Sequence, residues 1–547
     1  MRLDYETSVV NSALWAAAGD ALGWITELGG ESTIVARTGH KRVSEPVAWR
    51  RRIGGRGGVD VRLPAGTYSD DTQLRLAVSR AIQANGDFDA EAFACVELTV
   101  WPSYALGAGR GSKAAASNLS KRGVNWFSNF FATKDQNYLR AGGNGAAMRI
   151  QPHVWANRSD TERLTLSVLR DSITTHGHTH GFCGAIFHAL CLHETLATGS
   201  VVDPARWEDI VRSLTDLIRL VKQDGQLSTF WLPAWTSAGD RSLAAAIDEF
   251  IDEALQDIDS VQQLLDMGQN DYGEILYRLG CFEDRYRGSG WKTALAASAL
   301  AWLFRDEAPV SALQRAANTL GSDTDTIATM AGAILGAVAH RPPDCMLQDR
   351  DYLTSEAVRM ARISNKHSVE TFQYPDLSDW RPPASQGDAL QSLSDGFALA
   401  GLGCANAEGE AYHAGGFIWQ WFRLAHGQTI FAKRRSGTLT EIKHNQLPTK
   451  PRLVNIIATM TDQELPFQTP AAKAQFVDSP KIHQIPQKVD RIDRWTDDII
   501  QSGFNDQLLG NLLNRYIDEM GSIEGAASFA AIVAKAKITR QRRETRR

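Results

Sequence analysis

With 547 residues and a net charge of −5, the chain is too long for one ordinary core and carries no global attraction for nucleic acid or an anionic membrane surface. Its 43% hydrophobic and 22% charged residues have the texture of a soluble globular protein and exclude wholesale disorder. Six dispersed cysteines without a CxxC pair exclude a zinc ribbon and a thioredoxin-type motif; they read as small buried hydrophobes from a reducing compartment.

The chain opens with Asp4 and Glu6 and no basic stretch, and the apolar run that follows is interrupted by Asp20. Neither a signal peptide nor a membrane span is expected there, and a cytoplasmic location is the default reading. From Tyr5 to about Ser364 apolar residues recur at helical spacing. Ile327, Met330, Ala331, Ile334, Leu335 and Val338 make one continuous helix face; Leu74, Ala77, Val78, Ala81 and Ile82 make another. The stretch from Thr198 to Gly280 also reads helical, with Leu214, Ile218, Leu264 and Leu265 facing a core. Strand-like alternation is scarce, so an all-α bundle is expected.

Arg341-Pro-Pro-Asp344 and Asp379-Trp-Arg-Pro-Pro383 break the pattern. The second break sets the expected division, residues 1–378 and 379–547. Beyond it, Phe417-Ile-Trp-Gln-Trp-Phe422 and Gln428-Thr-Ile-Phe-Ala432 flank a turn at Gly427 and predict a β-hairpin, whose sheet can pack on the helical part or present an edge to a protein partner. Helical pattern returns at Asp498–Met520, and the basic run Arg540–Arg547 reads as a solvated end, so any nucleic-acid contact would be local.

Two acidic motifs each precede one of the strong helices: Ser69-Asp-Asp-Thr72 and Ser322-Asp-Thr-Asp-Thr-Ile327. Helix capping is the plain explanation, with Asp70 and Gln73 as a capping box and Asp325 as a cap. Neighbouring carboxylates repel, however, and either take up a proton or hold a cation between them. Should both helix starts meet, four carboxylates and two hydroxyls make an all-oxygen cage suited to Mg²⁺ or Mn²⁺ and not to zinc.

These motifs occur in order with Gly19-Asp-Ala-Leu-Gly23, Glu27, Gly143-Asn-Gly-Ala-Ala-Met-Arg149 and Ser172-Ile-Thr-Thr-His176. Over residues 8–345 the chain thereby resembles the ADP-ribosylglycohydrolases, the family of dinitrogenase reductase-activating glycohydrolase. The resemblance implies an all-α orthogonal helical bundle, here followed by a smaller α+β C-terminal domain, and a cleft holding two Mg²⁺ (or Mn²⁺). It implies metal ligation by Ser69, Asp70, Asp71, Asp323, Asp325 and Thr326, with Ser69 standing where threonine is more usual. It implies catalytic roles for Glu27 and Asp71, and substrate contacts from Gly143, Asn144, Gly145, Met148, His176 and Ser322.

The activity implied is hydrolysis of the bond between ADP-ribose and a modified protein or other acceptor. Two other readings stand beside it: an inactive relative that binds ADP-ribosylated targets or neutralises a toxin as an immunity protein, and a hydrolase of a free derivative such as O-acetyl-ADP-ribose. His178 and His180 are expected to serve structure or solvent, and Asp20 to anchor its helix end or orient a ligand. Trp126, Phe127 and Tyr138 are aromatic candidates for stacking, with core packing as the alternative. Acceptor identity is not readable from the motifs.

Overall fold

The computed structural model describes residues 3–267, 271–394, 396–448 and 490–520, together with Ala526, Phe529, Ala530, Val533 and Lys537. Helices dominate the N-terminal two-thirds, as the periodicity predicts. Those that position the site are α1 (Tyr5–Gly23), α2 (Asp70–Ala81), α3 (Arg110–Leu119), α4 (Thr179–Thr198), α5 (Leu243–Asp266), α6 (Gly290–Leu303), α7 (Thr324–Val338) and α8 (Arg350–Ser364). Leu214 and Leu264 are buried as expected, with Ile218 and Leu265 partly so.

The antiparallel packing of α1 on α7 is the central contact, and glycines make it close. A Cβ at Gly19 would lie 2.3 Å from the Ala328 carbonyl oxygen, and one at Gly23 2.4 Å from that of Thr324. From the other side, Gly332 and Gly336 would meet the Trp15 and Asn11 carbonyls at 2.5 and 2.7 Å. Any side chain at these positions would force the two backbones apart. The end of α1 is thereby set against the start of α7, where Thr324 Oγ1 donates to the Gly23 carbonyl at 2.9 Å.

A two-stranded hairpin, β1 (Trp49–Ile53) and β2 (Val59–Leu63), interrupts the helices; the scarcity of alternation in this region did not predict it. Its signal is present but masked by arginines: Trp49, Arg51 and Ile53 share the inward face of β1, opposite Val59, Val61 and Leu63.

A five-stranded antiparallel meander follows α8: β3 (Leu390–Leu393), β4 (Gly396–Leu399), β5 (Gly403–Ala414), β6 (Phe417–Leu424) and β7 (Thr429–Arg435). The β6–β7 pair is the predicted hairpin, with Trp421 opposite Phe431 and Gly427 in the turn at φ +108°. The chain divides into compact units Met1–Leu453 and Val454–Arg547, so the boundary expected at 378/379 falls inside the first unit. The physical reason is that the sheet is bonded to the helices. The Asp349 carboxylate accepts from both Thr429 N and Tyr68 Oη at 2.7 Å, and Arg80, paired with buried Glu97, donates to Gln428 Oε1 at 2.7 Å.

The second unit contains α9 (Asp490–Gln501) and α10 (Asp506–Met520), with Trp495, Ile499, Tyr516 and Phe529 in its own core. The basic run Arg540–Arg547 lies outside the described residues. Among those described, no helix is long and apolar enough to cross a membrane. Among the described residues no disulfide links the six cysteines; Cys183, Cys191 and Cys281 are buried, whereas Cys404 is exposed, contrary to the expectation for all six.

Candidate active site

One cleft of about 1200 Å³ collects nearly every residue singled out above. Glu27, Asp70, Asp71, Gly143, Asn144, Gly145, Met148, His176, Asp323, Asp325 and Thr326 all line it. Ser69 and Ser322 do not. Ser322 Oγ is spent on the Thr319 carbonyl at 2.8 Å, and Ser69 Oγ accepts from Asp71 N at 3.3 Å as the N-cap of α2.

The cap on α2 is therefore Ser69, and Asp70 is free of that task. Likewise the N-cap of α7 is Asp323, without a side-chain capping bond, while Asp325 Oδ1 accepts from Thr326 N at 2.9 Å. The capping explanation for Asp70 and Asp325 does not hold.

Asp20 explains how the first motif is presented. Buried on α1, it accepts from Ser69 N at 2.8 Å and from Thr72 N and Thr72 Oγ1 at 2.9 and 2.6 Å. Both of its oxygens are consumed in fixing the start of α2, so it orients Asp70 and Asp71 and is unavailable to a ligand. Asp70 N donates to the Leu106 carbonyl, and a Cβ at Gly107 (φ +110°) would lie 2.2 Å from Asp70 Oδ1, so only glycine admits that carboxylate.

The two acidic turns meet. Thr326 Oγ1 lies 3.4 Å from Asp71 Oδ1, and Asp71 Oδ2 is buried with no hydrogen-bond partner. Burial, reinforced by neighbouring Glu27 and Asp20, pushes the Asp70 pKa up to about 7. Asp71 and Asp325 are pushed well above the usual aspartate range, first by burial and then by the surrounding carboxylates. Carboxylates so placed are relieved by protonation or by a cation. Among the described residues no three His, Cys, Asp or Glu side chains are already drawn together into a metal-holding group. The orphaned Asp71 oxygen and the oxygen-only side chains of the two acidic turns nonetheless fit a hard divalent cation, which Asp70, Asp71, Asp323, Asp325 and Thr326 could hold.

The glycine loop forms the facing wall. Asn144 N donates to the Gly288 carbonyl at 2.8 Å and Gly290 N to that of Gly142 at 2.9 Å, which fastens residues 142–144 to residues 288–290. The Gly142 and Asn144 amides are thus committed to protein carbonyls. The Asn144 side chain instead donates to Asp323 Oδ2 at 3.0 Å. Gly145 permits close approach, since a Cβ there would stand 3.0 Å from His176 Cε1.

His176 ends a buried chain of hydrogen bonds. Arg149, paired with Asp171, donates to Thr175 Oγ1 at 2.9 Å, and Thr175 Oγ1 lies 2.7 Å from His176 Nδ1 but 3.4 Å from the Ser172 carbonyl. A hydroxyl proton directed at the nearer partner makes Nδ1 the acceptor and leaves the hydrogen on Nε2, the tautomer expected here. Burial and nearby Arg149 depress the His176 pKa to about 3, keeping the ring neutral. Long-range ¹H–¹⁵N correlation spectra should show a neutral His176 with Nε2–H, unchanged between about pH 5 and about pH 8; an Nδ1–H tautomer or a titration in that window would rule this arrangement out.

Of the other histidines, His178 caps α4 by accepting from His180 N, and His180 lies 2.9 Å from Ser289 Oγ and 3.0 Å from Glu253 Oε2. Both line the cleft, so they are structural but not remote. Trp126 and Tyr138 are buried in the core, Tyr138 Oη donating to the Ile173 carbonyl, and Phe127 stacks on Phe230.

The ADP-ribosylglycohydrolase family model matches residues 1–366. The chain belongs to that family. Its catalytic-type helical core therefore carries, as additions, the meander and the second compact unit. ADP-ribosyl-[dinitrogen reductase] glycohydrolase of Rhodospirillum rubrum is 29% identical over 166 residues, 30% of this chain. That match spans half the length of the curated relative. A solved structure described as an ADP-ribosylglycohydrolase-related protein complex is 17% identical, with 66% of this chain and 99% of that one covered at a TM-score of 0.39.

The motif reading missed Arg51. It lines the same cleft, and its Nη2 donates to Glu27 Oε2 at 3.0 Å. An arginine at an inward-facing strand position between Trp49 and Ile53 was the available signal.

Proposed function

We propose that this ADP-ribosylglycohydrolase-family chain is a divalent-metal-dependent hydrolase that cleaves the glycosidic bond between ADP-ribose and a modified acceptor. The observation that carries the reading is the convergence of two acidic helix starts, Glu27 and a neutral His176 on one cleft. The relative's printed name, a glycohydrolase of an ADP-ribosylated protein, supports the same reaction class.

Breaking this bond develops positive charge on the ribose ring. Two Mg²⁺ or Mn²⁺ ions, when bound, would grip the neighbouring ribose hydroxyls and acidify a water. Asp20 holds the backbone of the first acidic turn so that Asp70 and Asp71 face the cleft. The glycine loop allows the substrate close to His176, whose Nε2–H donates to a substrate oxygen. Glu27 stands on the cleft wall with one oxygen on Arg51, placed to take the proton of the attacking water.

The purified chain is expected to release free ADP-ribose from at least one member of a panel of arginine-linked, serine-linked and nucleic-acid-linked substrates and O-acetyl-ADP-ribose, with Mg²⁺ or Mn²⁺. EDTA is expected to abolish that release. Tight ADP-ribose binding without turnover of any member, or turnover indifferent to EDTA, would refute the reading.

A further inference from the structure

The segment bearing Glu27 is closed by its own backbone bonds, Glu27 N to the Gly23 carbonyl at 3.1 Å and Gly29 N to that of Thr26 at 3.0 Å, and by buried Trp24, Ile25 and Thr26. It follows the end of α1 as a run of turns, and Leu28 within it has φ +52° and is 69% exposed at the cleft. A pair of arginines adds to these bonds. Arg37 Nη1 donates to the carbonyls of Ile25 and Glu27 at 2.7 and 3.0 Å. Arg51 Nη2 donates to the Glu27 carboxylate itself.

Arg51 is in turn immobilised from two sides. Its guanidinium lies 4.8 Å from the Trp24 ring centroid and 5.6 Å from that of Trp49, and these two indoles meet edge to face at 5.0 Å. A planar cation seated on two aromatic rings has few other places to go. The ion pair is largely withdrawn from water, with side chains of Arg51 and Glu27 18% and 22% exposed, which strengthens it relative to a surface pair.

Arg51 is only as fixed as the β1–β2 hairpin, and that hairpin rests on the C-terminal meander. A Cβ at Gly54, in the hairpin turn at φ +88°, would lie 3.0 Å from Trp419 Cζ2. Strand β2 packs beside β5, and Ile53, Val59, Val61 and buried Trp419 belong to one continuous apolar core. A continuous chain of contacts therefore runs from Trp419 through Gly54 and Arg51 to Glu27.

We propose that Arg51 is a positioning residue for Glu27, and that the C-terminal meander, by seating the hairpin that carries Arg51, is part of the cleft's machinery and not a separate recruitment module. The catalytic consequence rests on the hydrolase reading above; the mechanical one does not.

Hydrogen exchange tests the mechanical half without turnover. Arg51→Met is expected to speed amide exchange in residues 24–30, with α7 unchanged as the control for folding. Trp419→Leu is expected to speed exchange in the same segment although the substitution lies in β6. Should Trp419→Leu disturb the whole sheet, Gly54→Ala pushes the hairpin from the other side and is expected to loosen residues 24–30 in the same way. Unchanged exchange in Arg51→Met overturns the positioning role, and unchanged exchange in both Trp419→Leu and Gly54→Ala overturns the role of the sheet.

Kinetics then read the catalytic half. Arg51→Met is expected to lower kcat by roughly 10–100-fold, the loss typical of removing a group that orients a reacting one, with KM and affinity for free ADP-ribose unchanged. An unchanged kcat, or a loss confined to KM, overturns it. A wild-type chain with no hydrolysis would instead fail the function reading and leave the exchange result standing.

Discussion

Asp325→Asn is expected to abolish ADP-ribose release while raising the melting temperature of the chelator-treated protein. Asp325 is buried beside Asp71, Asp323 and Glu27, and the repulsion of these groups, after burial itself, drives its pKa well above the usual range. Folding without a cation therefore imposes either a proton or an uncompensated charge at this position, and an amide of the same shape removes that cost. The same substitution removes an anionic oxygen from the set that would hold a cation, so turnover should fall by at least roughly 100-fold, more than the loss of an outer supporting group costs.

The pH dependence has a definite sign. Asp70, Asp71 and Asp325 all have pKa values raised by folding, Asp70 to about 7, so the folded chain holds these protons more tightly than the unfolded one. The associated stability is fully present below the ordinary aspartate value of 3.8 and is lost as pH rises through about 7. Melting temperatures in EDTA should therefore fall between about pH 5 and about pH 8. Mg²⁺ or Mn²⁺ should reduce that fall, because a cation binds the ionised carboxylates, and Asp325→Asn should blunt both effects. Wild-type turnover in Asp325→Asn, or a wild-type melting temperature indifferent to pH and to the ions, would remove the basis for a cation between the acidic turns.

How far the sequence discloses all this depends on the range over which each signal acts. The helices carrying the acidic turns are local and periodic, so Leu74–Ile82 and Ile327–Val338 announce α2 and α7 directly. The convergence of Asp71 with Asp325 is legible only through the resemblance of ordered motifs, because what enforces it is non-local: the glycine faces of α1 and α7, and the reach of Asp20 across to Ser69 and Thr72. The same distance-dependence accounts for where the structure differs from the motif reading. Ser322 looks like a site residue in a string of site residues, but the turn before α7 directs its hydroxyl to the Thr319 carbonyl. The break at Asp379–Pro383 looks like a domain boundary, yet Asp349, Gln348 and Gln428 bond across it and draw the meander into the first unit. Arg51 stayed hidden because three consecutive arginines read as a solvated stretch, and only strand pairing shows that the middle one faces inward.

Glu27→Gln is expected to lower kcat by roughly 10²–10⁴-fold, the usual contribution of a positioned proton acceptor, while leaving KM and ADP-ribose affinity nearly unchanged. The substitution is chosen because it keeps the brace intact: a glutamine Oε1 still accepts from Arg51 Nη2, so the turn should stay in place and only basicity is lost. Burial raises the Glu27 pKa, the Arg51 charge opposes that rise, and Asp323 adds to it. A carboxylate under these opposing influences is tuned toward exchanging a proton, and its place on the cleft wall, with the side chain 22% exposed, gives it access to water. The comparison with Arg51→Met is then decisive for how the work is divided. Loss of basicity with the loop held should cut kcat without changing exchange in residues 24–30, whereas loss of the brace should change both. If Glu27→Gln turns over like wild type, the proton goes elsewhere, and Asp71, whose Oδ2 faces no hydrogen-bond partner, becomes the acceptor to test next.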